Sequence, residues 1–116
     1  MAAESSELLR GTLATLVLSV LRGGPLYGYE IAKEIRERTD SVLHLKEGSL
    51  YPALHAMERD GLLSAEWQII ERGPSRKYYR LTAKGKAALV KRRAQWREFS
   101  SAVDSVLNAS GAEVRA

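Results

Sequence analysis

After Gly61 the hydrophobic period of this chain changes. Upstream, apolar residues return every three or four positions. From Leu63 they return every second position, with Leu63, Ala65, Trp67 and Ile69 alternating with Ser64, Glu66, Gln68 and Ile70. The first spacing is that of a helix with one buried face, and the second that of a strand. A turn signal follows at Arg72-Gly73-Pro74-Ser75, then a second extended run, Arg76–Leu81, and then a helical pattern again. Any fold for this chain must place one β-hairpin between helices.

The flanking helices read as follows. Leu9, Leu13, Leu16, Val17, Val20 and Leu21 predict a first helix over Leu8–Leu21, closed by Gly23-Gly24-Pro25. Leu26, Ile31, Ala32 and Ile35 mark a second over Tyr27–Arg38, and Leu50, Leu54 and Met57 a third over Glu47–Asp60, with Gly61 as its C-terminal cap. Pro52 in that third helix gives no N–H, and its ring presses towards the carbonyl of Gly48. Thr82 is placed to cap a last helix over Ala83–Leu107. The result is a mainly α fold with a two-stranded β wing. A winged helix-turn-helix takes residues 1–82 and a long C-terminal helix residues 83–108, and the unpatterned tail 109–116 reads as disordered.

On the last helix Leu89, Trp96, Phe99, Val103 and Val106 follow at steps of seven, three, four and three, an a/d seam interrupted by Arg92. A chain of 116 residues suits one domain with a modest core, and little of it remains to cover this seam. A second copy of the same helix is the economical cover and predicts a homodimer. The other way to bury the seam is to fold it back on the first helix.

Several function classes find little support. The absence of cysteine removes disulfides, thiolate metal sites and cysteine nucleophiles. His44 and His55 are the only histidines, a poor supply for a metal, and no cofactor is expected. Tyr29 and Lys33 have the spacing of a dehydrogenase pair but lack a glycine-rich turn to hold a nucleotide. Gly23 and Gly28 have phosphate-loop spacing, but Tyr29 stands where the lysine is needed. Ser49 and His55 have no orienting acid between them. The chain reads as no enzyme. Its longest apolar candidate, Leu13–Leu21, is short for a membrane span, and the acidic stretch Met1–Glu7 has the wrong charge for a signal peptide. The expected location is the cytoplasm.

The net charge of +4 hides a segregation. Ten of the eighteen basic residues lie between Arg72 and Arg97, where there is no acid. Clustered cations of this kind suit a polyanion, whose condensed counterions they displace. In a helix-turn-helix the second helix of the motif enters the major groove of double-stranded DNA. Here that is the third helix, whose outward side carries Pro52, His55, Ala56 and Arg59, flanked by Ser49 and Tyr51. Ser49, Tyr51, Pro52 and His55 are the candidate groove readers. Arg72, Arg76 and Lys77 on the wing are candidate phosphate contacts. Lys84 opens the last helix, where a cation opposes the macrodipole and an external anion relieves the cost. Two alternatives stay open: Tyr51 as a half-buried packing residue, and Arg59 in an ion pair with Glu58 or Asp60. Tyr78 and Tyr79 point to opposite sides of their strand, so one faces the core. The alternative for the whole chain is a winged helix that binds protein within a larger assembly, which needs an exposed apolar face.

Three motifs in order carry a family resemblance. Gly24-Pro25-Leu26-Tyr27 runs into Gly28-Tyr29-Glu30-Ile31. Gly48-Ser49-Leu50-Tyr51-Pro52-Ala53-Leu54 is followed by Glu58-Arg59-Asp60-Gly61-Leu62. Arg76-Lys77-Tyr78-Tyr79-Arg80-Leu81-Thr82 leads to Gly85. Over Leu8 to Leu107 the chain resembles the PadR family of bacterial transcriptional regulators in its short form with one C-terminal helix. The resemblance implies a homodimer joined through the first and last helices. It also implies operator binding by the third helix and the wing, usually to repress, and release of DNA on binding a small molecule. In drug-responsive short members a tryptophan of the last helix lines an apolar cavity at the dimer interface. Trp96 falls at the matching place, where it also serves as a seam residue. Arg92 and Arg93 nearby make such a cavity less apolar, or suited to an anionic ligand.

Overall fold

The computed structural model describes residues 7–109, so the tail from residue 110 onward lies outside the described residues. Helix α1 spans Glu7–Val20 and tightens into a 3-10 turn at Leu21–Gly23. Strand β1 is Leu26–Tyr27, α2 is Gly28–Arg38 and α3 is Glu47–Arg59. The hairpin consists of β2, Leu63–Gln68, and β3, Arg76–Leu81, and α4 spans Ala83–Leu107. The fold is mainly helical with a small antiparallel sheet, the winged-helix arrangement that the periodicity predicts.

The sheet has three strands rather than two, in the order β1-β3-β2. Leu26 pairs with Tyr79 and Tyr27 with Tyr78, which makes β3 the central strand. A two-residue strand shows no alternation, so periodicity could not reveal it. In the hairpin Leu63 opposes Leu81 and Gln68 opposes Arg76. Tyr79 is the tyrosine that faces the core, with only 1 % of its surface exposed. Trp67, on the same face of β2 as Leu63, and Ile69, just past the end of the strand, stand in solvent instead of continuing the buried row.

The core joins Val17, Leu18 and Leu21 of the N-terminal helix, Ile31 and Ile35 of α2, Leu50, Leu54 and Met57 of α3, and Leu63 and Tyr79 of the hairpin. Leu89 belongs to it as well. Expected to open the pairing seam of the last helix, Leu89 is instead 4 % exposed in the chain's own core, because the first turns of α4 pack back on α1. Beyond Leu89 the helix leaves the body. At 25 residues α4 is about 37 Å long, and the molecule extends 65 Å along its major axis. Its radius of gyration, 17.0 Å, exceeds the roughly 13 Å of a compact chain of this length.

The helix ends are made by the residues expected to make them. The Thr82 hydroxyl accepts a hydrogen bond from the Gly85 N–H at 3.0 Å and caps α4. Gly61 adopts a positive φ of 80°, and the Leu62 N–H reaches back to the Met57 carbonyl at 2.9 Å, closing α3. Pro52 lies on the exposed side of α3, where its missing N–H removes the helical donor to the Gly48 carbonyl.

Where α4 begins, Gly85 is buried against the backbone of Leu62, and a Cβ there would collide with the Leu62 carbonyl oxygen. Gly85→Ala is therefore expected to cost about 1–3 kcal/mol of stability or more. Gly48→Ala, in open space, should cost nothing. Denaturant titration of the two variants checks this, and equal midpoints for both would refute the close approach.

Candidate nucleic-acid interface

Helix α3 turns Leu50, Leu54 and Met57 inward and leaves Pro52, His55 and Arg59 exposed, with Ser49 half-buried beside them. At 100° per residue this is one continuous outward face. Arg59 lies at its C-terminal end and pairs loosely with Asp60 at 3.9 Å, one of the two partners expected for it.

Tyr51 stands between α2 and α3, half-buried. A Cβ at Gly28 would lie 2.6 Å from its hydroxyl oxygen and 2.7 Å from its ring, so glycine there is what lets the two helices approach. Burial first, and then the nearby Glu47 carboxylate, raises the phenol pKa above its ordinary value. The hydroxyl thus stays protonated as a donor and acceptor at the edge of the exposed face.

On the hairpin Arg76 is exposed and its guanidinium lies over the Tyr27 ring, 4.7 Å from the centroid. Tyr27 in turn meets Tyr78 edge-on at 5.4 Å and stacks with Tyr29 at 6.2 Å. This aromatic group orients a cation that the sequence placed only as one of several on a turn. Arg72 is exposed in the turn itself, beside Gly73 with φ 129°.

Two other expected phosphate contacts have their charges engaged within the chain. The Lys77 ammonium donates to Glu58 at 2.9 Å. Lys84 donates to the Asp60 carbonyl at 2.7 Å. A lysine at the start of α4 opposes that helix's dipole, but at the end of α3 the same charge is favourable. The fold brings those two helix ends together and resolves the unfavourable placement without an external anion. Sequence reasoning missed Tyr27, Tyr29 and Glu58, because the aromatic pair and the acid acquire roles only through contacts across elements.

The profile of the PadR-like family of transcriptional regulators matches residues 17–91, more than half of the chain. The chain belongs to this family. It is 43 % identical over 97 residues to Transcriptional regulator Rv3488 of Mycobacterium tuberculosis, covering 84 % of this chain and 87 % of that protein. Among solved structures it resembles a transcriptional regulator from Clostridium thermocellum, with a TM-score of 0.80 and 32 % identity over 86 % of this chain and 97 % of that one. It also resembles a PadR family transcriptional regulator from Eggerthella lenta, with a TM-score of 0.77 and 38 % identity over 90 % and 88 % of the two chains.

PadR-like regulators are generally not enzymes. Among the described residues of this one, no group of three or more His, Asp or Glu is placed to hold a metal ion, and no helix is long and apolar enough to cross a membrane. The second surface of note in this PadR-like chain is on α4. Trp96, Phe99, Val103 and Val106 form an exposed apolar row, with the Trp96 and Phe99 rings 6.2 Å apart. Trp96 is 46 % exposed and Phe99 59 %.

The Tyr51 environment gives a pH prediction with a definite sign. A phenol whose pKa is higher folded than unfolded keeps its proton longer in the native state, so stability falls as pH rises above about 10. Tyr51→Phe retains the ring and removes the titration. Its melting temperature should decline less over that alkaline range than that of the wild type. Parallel declines would contradict the burial of the phenol.

Proposed function

We propose that this PadR-like regulator binds double-stranded DNA as a homodimer in the cytoplasm and represses transcription from a palindromic operator. The observation that carries this is the outward face of α3 together with an arginine held in place on the wing. Ser49, Tyr51, Pro52 and His55 face the major groove, and Arg72 and Arg76 hold phosphates. Lys77 and Lys84 support these elements from within the chain rather than reaching for the backbone. Residues 1–82 form the DNA-binding unit and residues 83–108 the pairing helix, with Leu89 shared between the two.

A single copy leaves the row from Trp96 to Val106 in solvent. Pairing two copies through α4 covers it and sets two reading helices about a two-fold axis, which a palindromic operator matches. The Trp96–Phe99 ring pair at that junction gives a planar small-molecule effector aromatic faces to stack on, and its binding releases the DNA. No catalytic activity is part of this function. Trp67 and Ile69, exposed on the wing, favour the second reading, a module that binds protein. Failure of the wild type to bind any duplex at low salt would decide for that second reading.

Arg76→Ala should weaken binding to every duplex and reduce the slope of log affinity against log salt by about one. Gel-shift titrations at several salt concentrations measure this, and an unchanged slope removes Arg76 from the phosphate contacts. Trp96→Ala should weaken self-association measured by sedimentation. A wild type that sediments as a monomer at micromolar concentration rules out the pairing helix.

A further inference from the structure

Strand β1 supports the hairpin only at its root. It pairs with Tyr78 and Tyr79 and stops there, while the hairpin continues outward through Lys77 and Arg76, opposite Trp67 and Gln68. Successive residues of β3 point to opposite faces. On one face Arg76 rests on Tyr27. On the other, Lys77 lies under the rings of Tyr79 and Trp67, 5.3 and 6.0 Å from their centroids, and donates to Glu58 on α3 at 2.9 Å. The Lys77 and Glu58 side chains are 24 % and 36 % exposed, which removes them from the fully solvated class whose ion pairs contribute little. Lys77 is held in its charged form above all by its hydrogen bond to Glu58.

We propose that Glu58 and Lys77 form a strut that sets the angle between the reading helix and the wing, which makes Glu58 a positioning residue for sequence-specific binding. The proposal rests on the DNA-binding function above. An acid on a helix that approaches phosphates disfavours binding by charge alone. The strut turns that cost into geometry, because the wing arginines reach the backbone in register with the groove contacts only when the hairpin is held at one inclination. The positively charged strand keeps Arg76 for phosphate and commits Lys77 to the fold.

The test compares Glu58→Gln, Lys77→Gln and the exchanged pair Glu58→Lys with Lys77→Glu. All three are first checked for wild-type circular dichroism and melting. One measurement needs no DNA: amide hydrogen exchange of the hairpin in the protein alone. The other is the ratio of affinities for a duplex selected from a random library and for a scrambled duplex. Each single variant should speed hairpin exchange and lower the ratio about threefold or more, and the exchanged pair should recover part of both, since a carboxylate at position 77 forgoes the ring contacts. The decisive sign belongs to Glu58→Gln, which removes a negative charge and yet should lose specificity.

The proposal is overturned if Glu58→Gln leaves hairpin exchange and the ratio unchanged. It is equally overturned if Glu58→Gln tightens all duplexes alike while Lys77→Gln weakens all alike and lowers the salt slope by about one, since Lys77 is then a phosphate contact. A wild type that selects no sequence overturns the DNA-binding function and the role in specificity with it. Hairpin exchange in the protein alone still separates that failure from the absence of a strut.

Discussion

Three segments of this protein meet in one hydrogen-bonded knot. The Thr82 hydroxyl donates to the Gly61 carbonyl at 2.6 Å and accepts from the Gly85 N–H, while the Thr82 N–H reaches the Leu62 carbonyl at 3.2 Å. Lys84 closes the end of α3 through Asp60, and Gly85 lets α4 start against the Leu62 backbone. The end of α3, the root of the hairpin and the start of α4 are thereby joined to one another. Backbone groups that lose such partners cost free energy comparable to the bonds themselves, so these three ends hold one another in place.

That rigidity gives the apolar row on α4 its consequence. A long helix hinged loosely to the body could pair with a second copy at any inclination, and the two reading helices would then have no defined separation. With α4 capped by Thr82 and its first turns anchored through Leu89, the proposed pairing along Trp96, Phe99, Val103 and Val106 would fix the distance between two α3 helices. Under the proposed function, operator spacing would be a property of the fold. The small core of a chain this size makes the added burial useful for stability as well.

Most of the architecture was legible in the sequence because it rests on local signals. Period, caps and turn residues placed four helices and the hairpin, and Thr82 and Gly61 cap as their types suggest. What remained hidden depends on contacts between distant residues. The two residues of β1 acquire meaning only through Tyr78 and Tyr79. A helical stripe does not say which neighbour covers it, so spacing alone assigns Leu89 to the seam although the packing of α4 on α1 buries it. The basic residues of the wing were equivalent by charge, yet Arg76 lies on an aromatic ring while Lys77 is paired to an acid nineteen positions away.

In the proposed function, two α3 helices act at a separation set by a rigid dimer. Hydroxyl-radical footprinting of the protein on a selected duplex tests it most directly. Two protected half-sites related by a two-fold axis are expected, with centres about 10 base pairs, or a multiple of that, apart. A single unpaired patch, or protected half-sites whose spacing varies from one selected duplex to the next, would contradict it.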